Sequence, residues 1–303
     1  MQVSIIIVNY NTKKLTIECI NSIIKHTKDI TYEIVLVDNN STDDSVQYFK
    51  KLKGIKLIES RKNLGFGGGN NLGVKNAIGK YILLLNPDTI LLNNAVKLFY
   101  DYMESTKDNV GVIGCNLLDS DGAQGLTYVN FKSIKNHLKF SFNILCKKLN
   151  INLPKRIVDT KAPYDVDGVL GADMFMKKEL FTNLNGFDTS FFLYVEEVEL
   201  QKRIADKNYL RRIIPGPLII HLEGGSSNKN GKQLKYSTIY CLEEGTLRYI
   251  HKHYSKLYYF LFVVIQFFTW LPWILVDKRF SKNEKMNLCS LLVKKFNTAV
   301  YEK

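Results

Sequence analysis

The chain reads as an α/β protein, a mostly parallel sheet flanked by helices, with a C-terminal helical apolar appendage. Three observations predict this. Apolar strand-like runs alternate with helix-like segments through the first hundred residues, the signature of successive βαβ units. The run Tyr81–Leu85 (YILLL) meets Asn86-Pro87-Asp88 and is followed at once by Ile90–Leu92. Pro87 cannot continue a ladder, so Asp88 falls on a loop at the carboxyl end of a buried strand, where open α/β sheets bind ligands. Finally, Leu257–Val276 is apolar and free of charge.

In chain order, Val3–Val8 is the first strand, because MQVSIIIVNYN lacks a basic n-region and turns polar too early for a signal peptide. A helix at Leu15–Ile24, a strand at Glu33–Asp38 and a helix at Ser45–Leu52 follow, the last with Ser41, Thr42 or Asp43 as N-cap. The strand Ile55–Glu59 leads into a glycine-rich loop and a helix at Asn70–Ala77; Tyr81–Leu85 leads to a helix at Asn93–Met103 and a strand near Val110–Leu118. About Asp119–Pro163 the chain is polar, basic and irregular, an excursion over the active-site face. Regular patterning resumes with Val169–Lys177, helices at Lys178–Leu184 and Glu196–Lys207, and strands at Leu210–Ile214 and Leu218–Ile220.

Leu257–Val276 carries both tryptophans and is flanked by Lys252, Lys256, Lys278 and Arg279. Its length could just span a bilayer, but Gln266, Thr269, Pro272 and the dense aromatics suit an interfacial helical hairpin better; a buried helix pair or a dimer contact is the other alternative. Asn287–Val293 and Phe296–Val300 add a further amphipathic turn.

The 303 residues can bury a large core. Five scattered cysteines without CxxC spacing indicate neither a disulfide framework nor a zinc site, and point to a reducing compartment. The net charge of +13 is concentrated at Lys132, Lys135, Lys139, Lys147, Lys148, Lys155, Arg156 and Lys161, opposed only by Asp159. Such a stretch attracts lipid headgroups, diphosphates or nucleic acid. With no nucleic-acid-binding motif beside it, nucleic acid ranks last.

The polar residues at strand ends suggest the chemistry. A carboxylate at Asp88 suits a hard divalent cation that grips a diphosphate, against the plainer reading of Asn-Pro-Asp as a turn. The first strand ends at Asn9-Tyr10-Asn11, the second at Asp38-Asn39-Asn40-Ser41-Thr42, and the third leads into RKNLGFGGGN, residues 61–70. Asp38 is placed to accept a pyrimidine imide N–H while Tyr10 packs near the base. The glycines allow close approach of backbone to a phosphate-bearing ligand, or serve only as a flexible connection; they match neither the dinucleotide fingerprint nor a Walker A sequence. Glu196, Glu197 and Glu199 open a helix behind the aromatic run Phe191-Phe192-Leu193-Tyr194. Glu199 is explained by an i,i+4 pair with Arg203, whereas Glu196 and Glu197 against a hydrophobic wall suit a general base. His221 ends a strand before Glu223-Gly224-Gly225-Ser226-Ser227; a structural or surface histidine is the plain alternative.

The order of VSIIIVNYN, IVLVDNNSTDDS, NLGFGGGNNLG, YILLLNPD, GADMFMKKELFTNLNGFDTSFFLYVEEVEL with Arg203, and IIHLEGGSS resembles glycosyltransferase family 2, the inverting GT-A enzymes, and most of all their bacterial rhamnosyltransferase-like branch. The resemblance runs from Val3 to about Ser227. It implies a GT-A catalytic domain over residues 1–227, with a nucleotide-binding half at 1–118 and an acceptor half at 119–227, and a membrane-associating or oligomerising segment at 228–303. It places Asn9, Tyr10, Asn11, Asp38 and Asn40 around base and ribose, Asn63, Gly65 and Asn70 in the donor loop, and Asn86 where relatives carry the first acid of a DxD-type motif. Asp88 and His221 would hold Mg²⁺ or Mn²⁺, and Glu197, where Asp is usual, would be the base with Glu196 orienting it or the acceptor.

The resemblance further implies a nucleoside-diphosphate sugar donor, dTDP-rhamnose ahead of UDP-hexoses, with the choice set around Asp173, Phe191 and Tyr194. It implies a lipid-linked glycan acceptor and peripheral residence on the cytoplasmic face of the inner membrane, against an anionic surface, with a homo-oligomer as a possibility. Two rivals are weighed. A nucleotidyltransferase would want a basic signature loop after the first strand, and NYNTKK is a poor one; an inactive sugar-binding scaffold would be favoured by loss of Asp88 or Glu197, and both are present.

Overall fold

The computed structural model describes residues 1–151, 161–222, 236–276 and 280–301. The chain divides into two compact units, residues 1–130 with 159–231 and residues 131–158 with 232–303. The first begins with β1 (Val3–Asn9), α1 (Lys13–His26), β2 (Tyr32–Asp38), α2 (Ser45–Phe49), β3 (Ile55–Glu59), α3 (Gly65–Lys75), β4 (Tyr81–Leu85), β5 (Thr89–Leu91), α4 (Ala95–Ser105), β6 (Val110–Cys115) and β7 (Tyr128–Val129). After α5 (Ile134–Lys148), which lies in the second unit, come β8 (Tyr164–Asp165), β9 (Gly168–Val169), β10 (Asp173–Lys177), α6 (Lys178–Asn183), α7 (Glu196–Asp206), β11 (Leu210–Ile214) and β12 (Ile219–His221).

The main sheet has eight strands in the order β3-β2-β1-β4-β10-β6-β11-β8. It is parallel except at β10, which runs against β4 and β6, and at β8. Continuous apolar strands are what a sheet covered on both faces requires. Ile5, Ile7, Leu36, Leu83 and Leu85 pack toward Ile20, Ile23 and Phe99 of α1 and α4. Ile6, Val35, Ile82 and Leu84 pack toward Val74, Phe181, Leu200 and Ile204 of α3, α6 and α7.

The glycine run is helix, not loop: α3 begins at Gly65. Glycine is a poor helix former, but a Cβ at Gly69 would come 2.7 Å from Val8, and one at Gly73 would come 2.4 Å from Ile6. The run therefore lets a helix lie directly on β1, and tertiary packing overrides propensity.

The second unit contains α5, α8 (Tyr236–His253), α9 (Lys256–Val276) and α10 (Lys282–Tyr301). Two expectations are corrected here. The stretch read as irregular contains the fifteen-residue helix α5, and the segment read as a helical hairpin is one continuous helix, α9, running through position 272. Its Tyr259, Phe262 and Val263 are buried, and it packs on α5, α8 and α10. His137 of α5 bonds Thr269 at 2.8 Å, and the Tyr258 hydroxyl accepts the Ile134 N–H at 2.8 Å. Among the described residues no helix is long and apolar enough to cross a membrane. Lys155, Arg156, Asp159, Lys278, Arg279 and the Glu223–Ser227 motif lie outside the described residues.

Candidate active site

Leu85 ends β4, and Pro87 keeps the next residues out of the ladder. The Asn86 carbonyl accepts the Thr89 hydroxyl at 2.7 Å, while the Asn86 N–H donates to Ala172 at 3.0 Å. Beneath this corner lies the buried Cys19, whose thiol burial pushes up to about 12. The short strand β5 then pairs antiparallel with β12, setting Thr89 opposite His221, and Leu222 N–H donates to the Asp88 carbonyl at 2.9 Å. Strand pairing thus carries His221 to Asp88 across 133 residues of sequence, and sets its Nε2 3.4 Å from Asp88 Oδ1 and 3.4 Å from Asn86 Nδ2.

Both Asp88 and His221 are largely buried, and 3.4 Å is too long for a strong hydrogen bond. A carboxylate oxygen and an imidazole nitrogen converging at this spacing fit two of the ligands of Mg²⁺ or Mn²⁺, the remainder coming from water or phosphate oxygens. Among the described residues no cluster of three or more His, Cys, Asp or Glu side chains suits a metal. Asp173, opposite Leu85 at the start of β10, is fully buried; its Oδ2 accepts the Cys115 N–H at 2.7 Å, and burial pushes its carboxyl up to about 7.

At the ends of β1 and β2 the polar residues bind one another. Asn9 Nδ2 donates to Asp38 Oδ2 at 2.8 Å and to the Ser41 hydroxyl at 2.9 Å, and its Oδ1 accepts from Thr12 and Thr16. Asp38 Oδ1 takes the Ser41 N–H at 2.9 Å, and Asp38 is only 1% exposed. Asn11, at φ 55°, accepts the N–H groups of Thr42 and Asp43, and Asn40 is left-handed at φ 69°. Tyr10 is open to solvent, at 44%, and Asn11 is exposed beside it. Asn70 lies within α3, and its amide bonds the Phe66 carbonyl of its own helix. Asn63 accepts the Gly65 N–H at 2.9 Å.

Sequence reasoning passed over Asn39. Its buried amide donates to Asn63 Oδ1 at 3.0 Å and to the Gly65 carbonyl at 3.1 Å, and accepts the Leu64 N–H at 3.0 Å. Asn39 thereby fastens the entry to α3 onto β2, a role that two adjacent asparagines in one string do not distinguish. Gly65 is demanded by its place: at φ 73°, a Cβ there would come 2.1 Å from the Phe192 carbonyl oxygen.

The acids of α7 are presented by an unusual turn. Tyr194 and Val195 are both left-handed, at φ 67° and 71°, a conformation costly for a β-branched residue and characteristic of functional sites. Glu196 is 2% exposed, has no hydrogen-bond partner for its Oε2, and approaches α3 near Gly67. Burial first, and the neighbouring Glu197 second, hold its carboxyl well above the usual range. Glu197 is half-buried, its Cβ 3.5 Å from where a Gly171 Cβ would stand. Glu199 and Arg203 form the expected pair, with Nε 3.0 Å from each carboxylate oxygen, and Arg203 also donates to the Gly186 carbonyl at 2.8 Å.

Gly171-Ala172-Asp173 joins the two clusters: Gly171 lies against Glu197, Ala172 accepts from Asn86, and Asp173 pairs with Leu85. Gln201 fixes the approach to this bridge by bonding both the N–H and the carbonyl of Val169, at 2.6 and 2.8 Å.

Residues 4–151 match the family described as "Glycosyl transferase family 2". The chain is 33% identical over 138 residues to a poly(ribitol-phosphate) beta-glucosyltransferase of Bacillus spizizenii, covering 44% of this chain and 21% of that protein. It is 28% identical to the rhamnosyltransferase WbbL of Escherichia coli, over 64% of this chain and 74% of that one. It spans between 17% and 62% of the length of the first curated relatives it matches. Among solved structures, GalNAc-T7 with UDP, GalNAc and Mn²⁺ superposes with a TM-score of 0.62 at 16% identity, over all of this chain and 56% of that one, which shows a common GT-A fold.

Proposed function

With residues 4–151 forming a glycosyl transferase family 2 domain, we propose that the chain moves a sugar, with inversion, from a nucleoside diphosphate to an acceptor hydroxyl. The observation that carries this reading is the bridge Gly171–Asp173, which ties an accessible carboxylate, Glu197, to the Asp88–His221 corner. Inversion needs a base on one side of the anomeric carbon and a stabilised leaving group on the other. Glu197 takes the acceptor proton, a contribution of about 10²–10⁴-fold. Glu196, whose carboxyl burial holds well above the usual range, is poorly suited to act as the base and serves to orient its neighbour. Asp88 and His221 would hold Mg²⁺ or Mn²⁺, which when bound supplies positive charge at the diphosphate. Tyr10, exposed beside the Asn9–Asp38 network, offers its ring to the base, with Asn11, Asn40, Asn63 and Gly65 shaping the surrounding edge.

The similarity to a rhamnosyltransferase supports a rhamnosyl donor, and we take dTDP-rhamnose ahead of a UDP-hexose as the donor and a lipid-linked glycan as the acceptor. The working place on this reading is the cytoplasmic face of the inner membrane. The test is release of nucleoside diphosphate from a panel of nucleotide sugars by the full chain, with Mg²⁺, Mn²⁺ or EDTA present and a lipid-linked acceptor added. One donor should dominate, EDTA should abolish turnover, and Asp88→Ala should lower it at least a hundredfold with the fold intact by circular dichroism. Turnover by Asp88→Ala equal to wild type, or full activity in EDTA, would remove the metal corner; no turnover with any sugar would remove the transferase.

A further inference from the structure

The helix α5 carries an apolar face that its own unit does not cover. Leu138, Phe140, Phe142, Leu145 and Leu149 are between 42% and 60% exposed. Leu138, Phe142, Leu145 and Leu149, spaced four, three and four apart, fall within about 60° of arc on a helix of 3.6 residues per turn. The packed sides lie away from it: His137, about 110° from the stripe's centre, meets Phe262 edge-on, with centroids 5.3 Å apart, and bonds Thr269, while Cys146, about 70° away on the other flank, is buried and Phe140 points away from the stripe. Lys135 and Lys139 are exposed along the other flank of the apolar stripe, about 50° and 90° from its centre. Neither makes an ion pair with a described residue, and residues 131–151 contain no acid. The neighbouring helix α9 exposes Leu257, Leu261 and Phe268 with matching helical spacing.

From this we infer that α5 lies in the headgroup region of an anionic bilayer, with Phe142 and its apolar neighbours inserted and Lys135 and Lys139 on the lipid phosphates. A helix with a narrow apolar stripe and lysines beside it has the form of an interfacial element, in which the lysine stems follow the apolar surface and the ammonium groups reach the phosphates. Charge decides against a second copy of the chain. A two-fold contact through this stripe would place Lys135 and Lys139 beside their own mates with no acid on the helix to oppose them. An anionic surface meets the same lysines with the opposite sign. The element lies within the basic stretch that the sequence marks for anionic surfaces and adds an exposed apolar stripe to it, whereas the long apolar run of α9 is the packing centre of its unit. The inference extends the membrane location proposed above but does not depend on sugar transfer.

Co-sedimentation of the full chain with vesicles of phosphatidylcholine, or of phosphatidylcholine with 30% phosphatidylglycerol, tests it. Wild type should pellet with the anionic vesicles and stay in solution with the neutral ones. Phe142→Ser with Leu145→Ser should lower partitioning about tenfold per side chain. Lys135→Gln with Lys139→Gln should lower it about fivefold per lysine, and that loss should shrink in high salt. Both pairs replace exposed side chains, and circular dichroism checks each fold. Wild type indifferent to anionic vesicles, or both variants partitioning like wild type, overturns the inference. A wild-type dimer that the serine pair converts to monomer assigns the stripe to a second copy instead. Nucleoside diphosphate release with water-soluble acceptor separates the two claims: vesicle binding without turnover sinks the transferase and leaves the membrane helix standing.

Discussion

The carboxyl edge of the main sheet and the helical unit distribute their polar and apolar groups in opposite ways. At the edge, Asn9, Asp38 and Ser41 satisfy one another and Asn39 bonds Asn63, Leu64 and Gly65, so a dense set of polar side chains becomes a rigid rim. In the helical unit, α5 and α9 turn leucines and phenylalanines outward. Order at the rim is made by hydrogen bonds inside the chain, whereas α5 presents a surface whose apolar area is satisfied only by something outside it. Substitutions should therefore act on chemistry in the first region and on association or stability in the second.

The largest effect expected concerns the α7 acids. Glu197→Gln should lower turnover by about 10²–10⁴-fold with donor affinity nearly unchanged, because a base acts only in the chemical step. Glu196→Gln removes a charge that burial already disfavours, so its loss should be much smaller and its melting temperature should not fall. Steady-state kinetics and nucleotide titration of both variants decide the matter. If Glu196→Gln is the more damaged, the roles within the pair are reversed, and deep burial does not disqualify an acid in this rim.

How much of this was legible follows from the same contrast. Ile55–Glu59, Tyr81–Leu85 and Leu210–Ile214 fall where the apolar runs predict them. Tyr81–Leu85, buried along its whole length, leaves an uninterrupted signal, whereas the other two are marked by their apolar residues despite Lys56 and the pair Arg211-Arg212. The NPD corner was also legible, since Pro87 forces the break that exposes Asp88 to β12. The glycines of α3 misled because their reason is across the fold, at Val8 and Ile6. Helix α5 was missed because lysines interrupt it and its apolar residues face two ways, which defeats a single amphipathic period. Pro272 and Gln266 suggested a hairpin, yet Gln266 is buried and donates to Glu243 of α8 within one unbroken α9. The left-handed Tyr194–Val195 turn leaves no mark in the sequence, as neither residue favours it.

Glu243 offers an intermediate effect that would sharpen the contrast. Glu199 is met by the Arg203 guanidinium at the rim, but Glu243 has only Lys132 and the amide donated by the neutral Gln266 to favour its charge, and desolvation outweighs both, pushing its carboxyl from 4.5 up to about 7. Below pH 4.5 folded and unfolded chains both carry the proton. Between 4.5 and about 7 the unfolded chain releases it while the folded chain keeps it, so stability falls as pH rises through that window and is level above it. The whole drop is on the order of 3 kcal/mol. Glu243→Gln should flatten this slope in urea titrations followed by helical circular dichroism. An unchanged slope would show that Glu243 ionises freely, and that the helical unit tolerates a charge where the rim requires a partner.

The smallest effects make the sharpest comparison, because one kind of change should have opposite signs in the two regions. Alanine ordinarily strengthens a helix, by about 1 kcal/mol over glycine and about 0.5 kcal/mol over asparagine. Asn143 is exposed on α5, so Asn143→Ala should raise stability by about that half kilocalorie. At Gly73 of α3 the new methyl would come 2.4 Å from Ile6 Cγ2 and 3.2 Å from Val37. Neither neighbour can withdraw, since both belong to the buried centre of the sheet. Overpacking of this kind costs about 1–3 kcal/mol, more than the propensity gained, so Gly73→Ala should lower the urea midpoint. A rise in both variants would mean that α3 can lift from β1 at little expense. The Asn39 clasp at its entry would then be a hinge, and the rim a less rigid platform than its hydrogen bonds imply.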